Sequence, residues 1–431
     1  MSMKRSKDTA ASWLVVASVT LAHFIEQGLI KSLSVLLPDI REQFTTYTWV
    51  IGWSISFVSG WGCVLGLASN ILVSKSLGRP SLIVCGIIAT IGLLVCASAS
   101  NPLTLLFGLI FFGFIMLDSI ITIGAVPQYF DAHFDTAVAI YSCGTGLGIT
   151  IMPILTQMLR DVYGWRGTLV LLSGLCAHSI LCGALIKIDA HNEQEVTDDE
   201  IMPILSTSVR DKPPAKTGGY KLISSFTKTL SGLIDSSLLT DIHFVTLILI
   251  PSFVIGYTFT GWLIYTVSYA VSNGASIREA SIIATSGGVG LTAIRIILPI
   301  LHKLLTYKQL IYLGSFLSAM SLILMTQFGN FEMMAAMSVC YGISYGILGA
   351  EMHIAIKKVT EESKYFSGVA WYSLFEGAGS ITSGFITGWL FDITGSFTAS
   401  FTILGVISLI TVVSFGLDEI WIGIKRKHAS I

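Results

Sequence analysis

The sequence predicts an all-α membrane protein: twelve transmembrane helices in two six-helix, pseudo-symmetric bundles. Three observations carry the prediction. The 431 residues are 53% hydrophobic and only 12% charged, whereas a soluble domain carries about 25% charged residues. The apolar residues gather into about twelve runs, each near the ~20 residues that a helix needs to cross a bilayer. One long polar segment divides those runs six and six. Most of the 41 glycines and seven of the 10 prolines lie in or beside the apolar runs, as they do in membrane helices more often than in soluble ones.

In chain order the runs fall near 12–37, 48–73, 80–99, 102–125, 136–158 and 166–188, then 242–271, 277–301, 306–327, 331–356, 364–391 and 397–422. The N-terminus, MSMKRSKDTAAS, is basic. The run behind it is too long for a signal-peptide core and lacks a clear cleavage site, so it is expected to stay as the first span. The dividing segment, 189–240, contains EQEVTDDE, RDKPPAKTGG and a Ser/Thr-rich stretch. Its polarity and its Pro and Gly content predict a mostly disordered linker with room for a surface helix near 219–234. The expected units are an N-terminal segment 1–11, a first bundle 12–188, the linker 189–240, a second bundle 241–422 and a tail 423–431.

Lys and Arg set the orientation. They crowd the N-terminus, the linker, the C-terminus and every loop on that side, whereas the opposite loops hold only Arg41, Arg160, Arg166 and Arg278. Both termini and the linker are therefore expected in the cytoplasm. The net charge of -1 argues against a nucleic-acid partner. The seven cysteines all sit in apolar segments without a CxxC pair, which reads as small buried hydrophobes. Gly144-Thr-Gly-Leu-Gly follows no strand, so it is not read as a phosphate loop.

Lys31 and Arg295 interrupt apolar spans. A charge well inside a bilayer costs at least ~2.5–3.5 kcal/mol, and two such cations point to a pathway for negatively charged solutes. Asp118, in the middle of the fourth span, must be protonated or paired: as a proton acceptor, as a partner for Lys31 or Arg295, or locally through Ser119 or Thr122. Glu26 lies on the first span, where His23, Gln27 and Lys31 share a face at intervals of four. It either lines a polar pathway or contacts His23. Tyr257, Trp262, Tyr265, Tyr341 and Tyr345 fall on the seventh and tenth spans as cavity lining or as packing.

Twelve spans split by a central linker is the layout of the major facilitator superfamily, whose halves rock about a site near the midplane. Within it, several stretches resemble the monocarboxylate transporter family. They are LIKSLSVLLPDI (29–40), PQYFDAHFDTAVAIYSCGTGLG (127–148), YGWRGTLVLLSG (163–174) and FSGVAWYSLFEGAGSITSGFITGWLFDITGSFTASFTILG (366–405). Three departures stand out. Asp131, Ala132, His133 and Phe134 replace the basic cluster after the Tyr-Phe pair. Lys75 stands nearest the superfamily's usual acid between helices two and three. Leu291 stands where proton-coupled members carry an aspartate one turn before the arginine matched by Arg295.

The resemblance implies a carrier of a small organic anion, most simply a monocarboxylate, working by alternating access without covalent chemistry, metal or cofactor. It implies Lys31 and Arg295 as anion-binding cations, with Tyr341 and Tyr345 beside them. The rival readings are a snorkelling Lys31 at the outer interface and a structural ion pair at Arg295. Glu376 and Arg166 are expected to be structural, and Glu351 and His353 to reach cytoplasmic water. With Leu291 in place of the acid, proton coupling is expected to be weak or to run through Asp118 or Glu26. The plasma membrane is the expected location, with protons and, as in some relatives, a single-span immunoglobulin-type chaperone as partners. Aromatic amino acids, thyroid hormones or other neutral or zwitterionic solutes are the alternative cargo. A non-transporting sensor is the alternative of another class.

Overall fold

In the computed structural model, residues 8–74, 78–117, 121, 126, 129–130, 133–186, 235–361 and 364–429 are described. Among them there is no strand. The first half holds α1 (Ala10–Phe44), α2 (Thr48–Ser74), α3 (Gly78–Ala97), α4 (Pro102–Phe112), α5 (Phe134–Cys176) and α6 (His178–Leu185). The second holds α7 (Ile250–Ser272), α8 (Ile277–Leu301), α9 (Tyr307–Gln327), α10 (Phe331–Val359), α11 (Tyr365–Thr394) and α12 (Thr398–Ala429).

Local sequence explains several boundaries. Reciprocal capping boxes start α1 at Thr9/Ser12, α8 at Ser276/Glu279 and α9 at Thr306/Gln309, each satisfying amide groups that a helix N-terminus leaves without partners. Asn101 caps α4, with Pro102 in its first turn. Among the described residues, nine helical stretches are long and apolar enough to cross a membrane. One of them, Thr136–Leu185, has 50 residues. As a straight helix it would run about 75 Å, far beyond a bilayer. It turns back at Gly164, whose φ of 66° is open to glycine. The expected fifth and sixth spans thus meet at a single residue rather than through a loop. Adding Pro102–Leu117 and Tyr365–Thr394 completes the twelve crossings.

Two expected segments differ in detail. The fourth span is broken after Phe112 by a turn at Gly113 and Phe114. The last residues of the expected linker are ordered, with a 3-10 turn at Ser236–Thr240 docked on α11. There Asp235 pairs with Lys364 at 3.2 Å, and the Trp371 indole donates to the Asp235 carbonyl. The expected surface helix near 219–234 lies outside the described residues.

Within the first half, α1 packs on α5, and α3 on α4, α5 and α6; within the second, α10 packs on α8 and α9, and α7 on α11 and α12. The halves meet along α2–α11, α5–α8 and α1–α7. Gly144 and Gly148 lie inside α5, where an added Cβ would run into the Thr20 and Phe24 carbonyls of α1. The glycine-rich run is therefore a helix seam, as small-xxx-small spacing allows. Six crossings per half return the chain to one end, here the linker end. At the far end the halves are joined: the Asp392 carboxylate of α11 accepts the Thr48 and Trp49 amides of α2 at 3.0 and 2.9 Å. Arg41 of α1 lies over the Phe391 ring at 5.3 Å.

Candidate functional site

Lys31 is fully buried on the α1–α7 seam. Its Nζ donates to the Leu263 carbonyl at 2.9 Å and stands 4.1 Å from the centre of the Trp262 ring. This corrects the snorkelling alternative: the ammonium turns to the opposite half, not to a headgroup layer. Nearby, Tyr341 packs on Trp262 at 4.9 Å between ring centroids and is hydrogen-bonded to Thr258.

Arg295 projects from α8 and is half-buried. Its Nη1 donates to the Ser142 carbonyl of α5 at 2.6 Å. Among the described residues, neither Arg295 nor Lys31 forms an ion pair with a carboxylate. Each cation instead donates to a main-chain carbonyl of the other half. The two have different partners on different helices, so the structure does not join them into one clamp.

Around Arg295 a polar group converges from α1, α5, α8, α10 and α11. His23, Tyr141, Cys143, Tyr345 and His353 lie within electrostatic reach of the guanidinium. Tyr345 also lies within reach of Glu376, which accepts a hydrogen bond from the Tyr372 hydroxyl. Tyr345 stacks on Phe259 with centroids 3.6 Å apart, and His353 meets Tyr372 at 5.5 Å. Arg295, Tyr345 and Glu376 are half-buried and His353 is exposed, although all stand deep along their helices. They gather around the Arg295–Ser142 contact, where α8 of the second half meets α5 of the first.

The remaining sequence candidates separate from this group or flank it. Glu26 is 3% exposed, bonded by the Gln27 amide at 2.8 Å and 3.9 Å from His23. Asp118 lies outside the described residues. Arg166 sits at the far end, donating to the Ala99 carbonyl at 2.8 Å and covering Trp165. Glu351 corrects the expectation that it reaches water: it is fully buried, with Oε1 2.5 Å from His302 Nε2. A depression of about 440 Å³ at the far end is lined by Asp39, Glu42, Gln43 and Trp165. Its Asp39 is already paired with Arg160 at 2.5 Å, and the surface is remote from Arg295.

Sequence reading missed Tyr141 as a neighbour of Arg295, because a tyrosine in an apolar run carries no signal of which other helix it faces, whereas Tyr372 precedes Glu376 by four residues, a spacing that puts both on one face. It also missed Asp392 and Asp418. Asp418 is buried in α12 and pairs with His243, with Lys308 at 3.9 Å. An acid near the end of an apolar span, alone at Asp392 and next to Glu419 at Asp418, is the signal that could have found both.

A family model described as the Major Facilitator Superfamily matches residues 19–308 and 249–428. The chain belongs to this superfamily. It is a membrane transporter, not an enzyme, and relatives of similar length bear a narrower name. The chain is 23% identical to monocarboxylate transporter 11 of Homo sapiens, over 98% of this chain and 85% of that protein. It is 25% identical to monocarboxylate transporter 13 of Rattus norvegicus, over 92% and 86%. In fold, this facilitator is similar to the nucleoside transporter NupG, with a TM-score of 0.73 at 14% identity over 94% of this chain and 99% of that one. A bacterial homolog of the human lysosomal transporter Spinster gives 0.63 at 14%, over 95% and 96%.

Proposed function

We propose that this facilitator carries a small organic anion, most simply a monocarboxylate, by alternating access of the space that Arg295 lines. The observation that carries the reading is the state of that guanidinium. The residue is half-buried, its guanidinium lies on the α5–α8 seam between the halves, and it has no carboxylate partner among the described residues. A guanidinium has five N–H donors in a rigid fork, and one donates to Ser142. The others can take a carboxylate through two parallel bonds. The resemblance of the 29–40 and 366–405 stretches and the names of the relatives support the same cargo.

Leu291 cannot exchange a proton with Arg295 as an acid in its place would. We therefore assign proton coupling as weak or routed through other acids, with Asp118 and Glu26 the sequence candidates. The Lys and Arg distribution supports a cytoplasmic linker end, and the plasma membrane is the proposed site of action. A second reading has an observation of its own: Glu376 and the Phe259–Tyr345 stack share the space with Arg295. They suit a solute that carries a cationic or aromatic group beside its carboxylate.

The test is uptake into proteoliposomes of lactate-like, ketoacid, aromatic and zwitterionic solutes by wild type and Arg295 variants. Arg295→Ala is expected to abolish uptake and Arg295→Lys to retain little, because the lost two-point geometry is worth roughly 1.5–3 kcal/mol per charged bond. Normal uptake by a correctly inserted Arg295→Ala protein refutes the reading. Competition by zwitterions but not by simple monocarboxylates favours the second cargo.

A further inference from the structure

We propose that Trp262 and the Leu263 carbonyl form a berth that takes the Lys31 ammonium whenever the far end closes, so that Lys31 alternates between the transported anion and helix α7. The inference rests on the reading that Lys31 meets the anion when the far end is open.

The ammonium itself makes the case. Lys31 is fully buried, and among the described residues its ammonium has one hydrogen bond, to Leu263, and no carboxylate in ion-pair range. A buried ion without a counterion is strongly penalised, so whatever it faces decides whether the closed arrangement can form. It faces the Trp262 ring at 4.1 Å. A cation over a desolvated indole face shifts an equilibrium by about tenfold or more.

The indole is placed for its face rather than for its edge. Trp262 is 1% exposed, and its Nε1–H has no hydrogen-bond partner among the described residues. A buried tryptophan usually finds one. The ring is held instead by Tyr341 at 4.9 Å, by Phe259 at 6.2 Å and by the surface of Gly287, where a side chain would collide with it. These supports lie on α7, α8 and α10, all in the second half, whereas Lys31 is in the first. Parting of α1 from α7 at the far end therefore removes both partners of Lys31 in the motion that uncovers it. The freed ammonium, a compact and mobile charge, then has the anion as its replacement partner.

The experiment is a double-mutant cycle on the full chain in nanodiscs. It compares wild type, Trp262→Leu, Lys31→Met and the double variant by hydrogen exchange of residues 30–44 and 262–272, with Trp262→Phe as the conservative control. Trp262→Leu alone is expected to speed far-end exchange about tenfold, Trp262→Phe to keep most of the protection, and Trp262→Leu to add less than about threefold when Lys31 is already Met. Equal effects of Trp262→Leu in both backgrounds overturn the berth. In parallel, Lys31→Gln is assayed for uptake of radiolabelled lactate and pyruvate. A raised external half-saturation concentration completes the proposal. Unchanged uptake with intact coupling refutes the anion reading of Lys31, and with it the alternation, while leaving Arg295 untouched.

Discussion

Replacing Asp392 with Asn tests how the far end is held shut. Helix α2 begins at Thr48, behind Tyr47, and a tyrosine cannot cap a helix as Ser, Asp or Asn can. Its first amides would be orphans. Asp392 supplies the cap from the other half, one carboxylate oxygen to each of Thr48 and Trp49. Gly388, one turn earlier on α11, lets the backbone of Trp49 approach closely enough for this. Asparagine keeps one carbonyl oxygen and loses the charge. One charge-assisted bond is worth about 1.5 kcal/mol at the low end, fitting a partly exposed site. The lost charge at a helix N-terminus adds about 0.5 kcal/mol. The sum, about 2 kcal/mol, corresponds to about a 30-fold shift toward the far-end-open arrangement. Hydrogen exchange of peptides covering residues 45–55 reads it directly, with Thr48 and Trp49 expected to exchange about 10- to 30-fold faster. Asp39→Asn is the control, since the partner of Asp39, Arg160, lies in its own half. Unchanged exchange in Asp392→Asn, or an equal change in Asp39→Asn, refutes the reasoning.

Two further outcomes follow from buried and docked charges. His302→Ala leaves the fully buried Glu351 without its 2.5 Å partner, and Glu351 Oε2 already lacks one among the described residues. The cost is about 1–3 kcal/mol, read as a lower Tm in detergent that His302→Ala combined with Glu351→Leu recovers. At the end of the linker, hydrogen bonds from Ser237, then Lys364, hold Asp235 below the usual carboxylate range. Because the folded-state pKa is depressed, this contribution is present above the ordinary carboxylate value and is lost as pH falls through the lowered one, below about 4. Hydrogen exchange of peptides covering residues 235–241, normalised to the intrinsic rate at each pH, is expected to lose protection only in that acid range, and Asp235→Asn is expected to lose the pH dependence.

Much of this molecule was legible without coordinates. In hydrocarbon every backbone group must bond within its own segment, so a run of about 20 apolar residues has little choice but a helix. The apolar spans and the costly charges at Lys31, Arg295 and Asp118 were therefore readable one residue at a time. Even the seam on Gly144 and Gly148 was written in spacing.

What those charges face was decided only by the tertiary structure. Lys31 donates to Leu263 and Arg295 to Ser142 through main-chain carbonyls, and every residue has a carbonyl. No side-chain pattern marks which one another helix will present. The same holds for the Asp392 cap on α2, which lies 344 residues away in sequence from Thr48, and for the bend at Gly164 that replaces a loop. A single residue's solvation cost is a local property that composition and position reveal, whereas its partner depends on how two half-molecules approach, which is set by the summed packing of helices far apart in the chain.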